Sequence, residues 1–342
     1  MQSTFVPNTK TAPLRKFLPA WTALLALALA SLALPAHAQA TWRMVTEYPQ
    51  SNISGTGLAT FARLLSAHTG GQVTATIAFD NEAGITSTEM PRAARDGRIA
   101  GGDAFGGALS AYDAVFGLST LPFVVQSAEA ARAVNARARP LYEAAFRAQG
   151  LRLLYLTIWP ATGLWSEQPL HGGKDLAHLA LRTYDDSSTA VMRAAGAAAQ
   201  FEPLNDAVAE LKAHRLNAFL TSGDGGAGRK LWDYLPNFTA INYAIPVSFA
   251  FVRSADFDAL SEQLQREVLA AAAETEQSQL ELLANRTAEN YARMRANGVS
   301  IIEPAPIGLI AALRDAARGP IAAWKARTSP AAIEIADWAI KQ

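Results

Sequence analysis

The chain has 342 residues, with 30 lysines and arginines against 30 aspartates and glutamates, five histidines and no cysteine. The missing cysteines exclude a disulfide framework, thiol nucleophiles and sulfur-ligated zinc. The balanced charge leaves no footprint for nucleic acid or for an anionic membrane surface.

Lys10, Arg15 and Lys16 precede an almost wholly apolar stretch, Phe17 to Leu34, and Ala36-His37-Ala38 follows as a small-residue A-x-A site. This order is that of a secretory signal peptide, residues 1–38, cleaved between Ala38 and Gln39. On length alone the apolar stretch would serve as a membrane anchor. The cleavage site directly after it predicts removal and a periplasmic destination. With no cysteine to acylate, a lipoprotein anchor is excluded. Cleavage leaves 27 basic against 30 acidic residues. The remaining chain, roughly 300 residues, can bury a core without staples and is expected to split into two lobes.

Trp42 to Thr46 reads as a first strand. Leu58, Phe61, Leu64 and Leu65 fall at helical spacing within Gly57 to His68, and Gly70-Gly71 close that helix. Val73, Ala75, Ile77 and Phe79 alternate as a strand does. Ser87 to Arg98 predicts a helix, and Ile99 to Phe105 a glycine-rich strand. Leu151 to Ile158 is a near-continuous apolar run of the kind found in buried parallel strands. Leu179 to Thr183 is a further strand, followed by an alanine-rich run, Thr189 to Ala199, of high helical propensity. Pro246 to Arg253 is another strand. Strands interleaved with helices give an α/β class with parallel pairing.

Ser261 is a plausible N-cap and Gly298 a C′ residue. Between them Glu262 to Asn297 contains neither proline nor glycine. If continuous, this helix is roughly 50 Å long and crosses more than one lobe. The alternative is two helices broken near Asn285. There is no fixed-period repeat and no linker rich in proline, glycine and serine. Lobes built from discontinuous segments are therefore expected.

Gly223-Asp224-Gly225-Gly226-Ala227-Gly228 matches G-x-G-x-x-G and follows the apolar run Leu216 to Leu220. A dinucleotide site also needs an acidic residue about 20 positions on, and none stands between Ala240 and Pro246. Arg229 and Lys230 occupy the places where a P-loop needs lysine and a hydroxyl. A flexible turn near a cleft or hinge is the expectation. His68, His171, His178 and His214 show no i,i+4 pair, and neither H-E-x-x-H nor G-x-S-x-G occurs. No catalytic, metal or cofactor site is predicted.

Arg182 leaves the strand Leu179 to Thr183 where open α/β sheets bind their ligands. Its planar fork matches the two oxygens of a carboxylate. Asp185 and Asp186, three and four residues on, are the alternative partners and would neutralise it at the surface. Tyr48, Phe105, Trp159, Trp165, Tyr184 and Tyr243 fall at strand ends or in turns, where aromatic side chains wall small-ligand clefts.

Several ordered features carry a resemblance. They are Gly70-Gly71-Gln72-Val73, then Arg95-Asp96-Gly97-Arg98-Ile99-Ala100, Leu121-Pro122-Phe123, Asp175-Leu176 with Leu179-Ala180-Leu181-Arg182, and Phe257-Asp258-Ala259-Leu260-Ser261 before the long helix. In this order, over residues 41–330, the chain resembles the DctP-type solute-binding proteins of tripartite ATP-independent periplasmic (TRAP) transporters. The resemblance implies a two-lobed periplasmic binding protein fold with a long hinge-spanning helix. It implies lobes of residues 39–158 plus 246–290 and of 159–245 plus 291–342. Arg182 matches the family's carboxylate-pairing arginine. Glu47, Phe105, Thr221 and Tyr243 fall at positions that line the cleft, with Trp159 and Trp165 beside it. The implied partners are a small carboxylate and the TRAP permease, which is the only route to the membrane.

Two departures bear on the ligand. The second arginine that many members carry near Thr162-Gly163-Leu164 is missing. The family's V-D-G-x-E stretch appears as Leu216-Asn217-Ala218-Phe219-Leu220. A monocarboxylate with an apolar or aromatic body is therefore expected, in place of a sialic acid or a C4-dicarboxylate. The alternatives are an exported enzyme acting on small acids and a receptor presenting its ligand to a sensor protein.

Overall fold

The computed structural model describes residues 1–5 and 40–341. The signal-peptide reading falls almost wholly outside these residues. The chain divides into two units, Met1–Ala38 and Gln39–Gln342, and the second carries the fold. Its strands are β1 (Ala40–Thr46), β2 (Val73–Ala78), β3 (Gly101–Phe105), β4 (Leu151–Ile158), β5 (Thr162–Ser166), β6 (Ala180–Thr183), β7 (Ala198–Phe201), β8 (Ala218–Ser222), β9 (Asn237–Thr239), β10 (Val247–Arg253) and β11 (Ser300–Ile302). Its helices are α1 (Ile53–His68), α2 (Met90–Arg95), α3 (Ala128–Ala148), α4 (Asp186–Ala194), α5 (Leu204–Lys212), α6 (Gly223–Gly228), α7 (Ser254–Asp258), α8 (Glu262–Ala296), α9 (Ile307–Lys325) and α10 (Pro330–Ala339). None of them is long and apolar enough to cross a membrane.

The strands form two sheets, in the orders β2-β1-β3-β10-β4 and β11-β9-β5-β8-β6-β7. The class is α/β, but the pairing is mixed. β1 lies parallel to β2 and β3, and β6 parallel to β7 and β8. β10 runs antiparallel between β3 and β4, and β5 antiparallel between β8 and β9. The apolar run of β4 thus belongs to an antiparallel strand. It is apolar because both its faces are covered. Leu154 and Tyr155 pack with Val268, Ala271 and Ala272 of α8, whereas Leu151, Leu153 and Leu156 pack with Val134, Ala138 and Tyr142 of α3.

The chain passes between the sheets after β4, returns before β10, and passes again along α8. The first two passages lie side by side. Trp159 N donates to Pro246 O, Thr162 N to Ala244 O and Tyr243 N to Thr162 O, each at 2.9 Å. α8 is one unbroken helix of 35 residues with Ser261 as its cap, so no break falls at Asn285. It packs on α1 and β4 of the first sheet and on α6 and β11 of the second. The C-terminal α10 lies against α3, where the Arg137 guanidinium sits 4.1 Å over the Trp338 ring.

Three local expectations change. Only Met90–Arg95 of the run Ser87 to Arg98 is helical, because Ser87 is held elsewhere: its N–H donates to Glu47 and its hydroxyl accepts from Phe105 N. The alanine run ends as a helix at Ala194. Gly196, at φ +100°, then turns the chain into β7, which pairs along β6. Gly223 to Gly228 is a short helix, not a loose turn. A side chain on Gly226 would sit 2.3 Å from the Trp165 ring, and one on Gly228 2.4 Å from Asn52. Glycine here lets a helix approach its neighbours closely.

Candidate binding site

A cavity lies between the two sheets, walled by the ends of β1, β3, β6 and β8 and by the side-by-side passages. It leaves about 40 Å³ for the centres of water-sized molecules. On that measure a single water needs about 10–15 Å³, so the space suits a compact ligand. Six of the sequence-predicted residues line it together: Glu47, Phe105, Trp159, Arg182, Tyr184 and Thr221. Tyr48, named as a cleft aromatic, joins them.

Two predicted residues stand behind the wall. Trp165 is fully buried under α6, with its Nε1 donating to Ser222 O at 3.3 Å and its ring against Phe238 at 5.3 Å. Tyr243 is fully buried too. Its ring meets the edges of Tyr184 at 6.4 Å and Phe123 at 5.6 Å, and its main chain serves the passage between the sheets.

Among the described residues, Arg182 is the one basic residue in the lining. It sits in β6 between β7 and β8, and only 5% of its surface is exposed. Its Nε donates to Glu202 O at 2.8 Å, and its guanidinium lies 6.0 Å from the Phe219 ring. It forms no ion pair among the described residues. The aspartates weighed as its partners are placed otherwise. Asp185 caps α4, its Oδ1 accepting from Ser188 N at 2.7 Å, and Asp186 is exposed. Burial draws the Arg182 pKa down, opposed by Tyr48 and Glu47. The group remains cationic at any physiological pH.

Glu47 is the one acid in the lining. Its Oε2 accepts from Ser87 N at 2.6 Å. Burial pushes its pKa up, against the pull of the Ser87 N–H and hydroxyl and of Arg182 and Arg229. The apolar walls come from both sheets. Tyr48 tilts onto Trp159 at 4.7 Å, and Phe105 meets Tyr184 edge-on at 5.2 Å. The Trp159 indole N–H donates to Ser248 Oγ at 2.8 Å, which fixes that wall. The Tyr184 hydroxyl is buried beside the Thr162 side chain.

Sequence reasoning missed Thr86, Thr88 and Thr162, together with Phe201, Pro203 and Leu204. Thr162 had a usable signal, since it follows the strand-end Trp159 by three residues. The others lie in connecting segments whose position depends on the whole fold. The histidines stay away from the cavity: His68 bridges to Glu274 at 2.8 Å, and His171, His178 and His214 are exposed.

The profile of the bacterial extracellular solute-binding protein family 7, DctP, matches residues 44–319. No curated protein matches the sequence. Among solved structures, the chain is similar to DctP7 of Bordetella pertussis, an extracytoplasmic solute receptor binding pyroglutamic acid. The TM-score is 0.84 at 23% identity, over 88% of this chain and 99% of that one. A marine-metagenome TRAP solute-binding protein specific for pyroglutamate gives 0.82 at 23% identity, over 89% and 99%. A TRAP periplasmic protein of Xanthobacter autotrophicus Py2 with bound β-D-galacturonate gives 0.81 at 16% identity, over 88% and 99%. Fold and family are those of two-lobed, extracytoplasmic receptors for small solutes, proteins that work with a membrane permease. The chain belongs to the bacterial extracellular solute-binding protein family 7.

Proposed function

We propose that this protein binds a compact monocarboxylate between its two sheets and delivers it to a TRAP permease from the periplasm. The observation that carries the reading is Arg182, a buried guanidinium that faces a small cavity and forms no ion pair among the described residues. A ligand carboxylate supplies that counter-ion through two parallel N–H···O bonds. The cavity offers no second cation, and Glu47 would repel a second carboxylate. Dicarboxylates are therefore disfavoured. The narrow space between the aromatic walls favours a compact ligand such as pyroglutamate over a hexuronate. Glu47 accepts a hydrogen bond from a ligand N–H or O–H, and Tyr48, Phe105 and Trp159 enclose the apolar body. The lobes we assign meet at the passages, 39–158 with 246–290 and 159–245 with 291–342. They close by hinge motion around the bound solute.

Titration calorimetry with L-pyroglutamate, 2-oxoisovalerate, succinate and D-galacturonate tests this. Micromolar or tighter binding is expected for one of the two compact monocarboxylates, L-pyroglutamate or 2-oxoisovalerate, and none for succinate. Tight binding of succinate or galacturonate, with neither compact monocarboxylate bound, would overturn the reading of a compact monocarboxylate. Binding in complex with the permease, measured as ligand-dependent uptake into vesicles, tests delivery.

A further inference from the structure

Arg229 lies directly after the last glycine of α6, on the second-sheet side of the cavity. Its guanidinium reaches across to the first-sheet side. There Nη1 is ion-paired with Asp80, in the turn after β2, and Nη2 donates to the main-chain oxygen of Glu47 at 3.0 Å. The Asp80 turn is itself tied to the end of β1. Asp80 N donates to Tyr48 O at 3.0 Å, and Asn81 N to Thr46 O at 3.2 Å. Glu47 and Tyr48 line the cavity, whereas Arg229 does not. The side chain of Arg229 is 13% exposed and that of Asp80 49%.

We infer that Arg229 is a positioning residue: a clasp that holds the Glu47–Tyr48 wall closed over a ligand bound at Arg182. The inference rests on the proposed ligand reading. The two acceptors diverge, so a forked guanidinium serves both and an ammonium serves one. An ion pair to a half-exposed aspartate adds little to folding stability. The bond to the Glu47 carbonyl, in contrast, fixes a wall of the cavity from the opposite side. Losing the clasp should therefore speed ligand escape more than it weakens the fold. The glycines of α6 belong to the same device. They bring the helix end against Asn52, close enough for the next side chain to span the cleft.

The test uses Arg229→Ala, Arg229→Lys and Asp80→Asn, with stopped-flow release of L-pyroglutamate and the melting temperature without ligand. Because the chain has no cysteine, spin labels go cleanly on Arg63→Cys in α1 and Lys212→Cys in α5, both exposed. These report the distance between the two sides. Arg229→Ala should raise the dissociation rate about tenfold, with little change in association rate or unliganded melting temperature. It should also lengthen the unliganded label distance. Arg229→Lys and Asp80→Asn should fall between it and the wild type. A wild-type release rate with an unchanged distance distribution would overturn the clasp, as would an unliganded melting temperature that falls in step with affinity. If the wild type binds none of the monocarboxylates while Arg229→Ala still lengthens the distance, the ligand reading falls and the clasp stands.

Discussion

Arg182 is buried and Arg286 mostly so, and the fold serves the two in opposite ways. Arg286, on α8, meets Asp224 of α6 at 2.5 Å, with 12% and 1% of the two side chains exposed. The same carboxylate accepts from Asn290 at 3.1 Å, and its other oxygen accepts from Asn52 at 3.0 Å and from the Ile53 N–H at 2.9 Å. Every charge at that joint has a partner from the chain itself. Arg182 has a single main-chain acceptor and no ion pair among the described residues. Removing a cation from water without a counter-ion is costly. A joint that closes on itself serves the fold, and the carboxylate we propose would complete a charge left open toward a cavity.

The largest expected effect lies at the closed joint. Arg286→Ala strands the buried Asp224 carboxylate and should cost about 3–5 kcal/mol in urea unfolding. Arg182→Ala should do the reverse. It should weaken binding of the cognate acid by on the order of 3 kcal/mol, more than a hundredfold, because the ligand carboxylate loses its only cation. Its urea midpoint should stay level or rise. If Arg182→Ala destabilises the fold as much as Arg286→Ala does, the contrast between the two sites is lost.

The smallest expected effect sharpens the comparison from the acid side. Asp103, in β3, is fully buried, accepts from the Ser54 hydroxyl and forms no ion pair among the described residues. Burial pushes its pKa up from 3.8 to about 7, against the pull of the Ser54 and Ser248 hydroxyls. The raised value means that the folded state holds the proton longer than the unfolded chain. The stability it contributes is complete below the unfolded value, near pH 4, and is lost as the pH rises through about 7. Asp103→Asn should flatten that decline, gaining on the wild type as the pH rises from 4 to 8 in unfolding curves. Parallel curves for the two proteins would place the proton elsewhere.

The α/β class and the strand that presents Arg182 were legible because both are local: apolar runs, turn residues and one charge at a strand exit. The site was legible in part. Aromatic residues at strand ends found Phe105, Trp159 and Tyr184, but strand alternation decides which way such a ring faces. Trp165 faces α6. What stayed hidden depends on residues far apart in the chain. α1 begins at Ile53, a turn before its apolar pattern at Leu58, because Asp224 accepts from its first N–H across 171 positions. The glycine hexamer is helical because Trp165 and Asn52 stand where side chains would go. The run after Thr189 has alanine propensity throughout, yet pairing along β6 claims its end as β7. The partner choice of Arg182 was open in sequence, and only the capping role of Asp185 resolves it.

The place of β10 constrains the order in which the molecule can assemble. It lies between β3 and β4, yet the chain reaches it only at residue 247, after every strand of the second sheet except β11. Until then β4 has no strand to pair with, and β3 has a bare flank. Such long-range pairing slows folding. A chain leaving the ribosome would therefore carry an open first sheet for most of its synthesis.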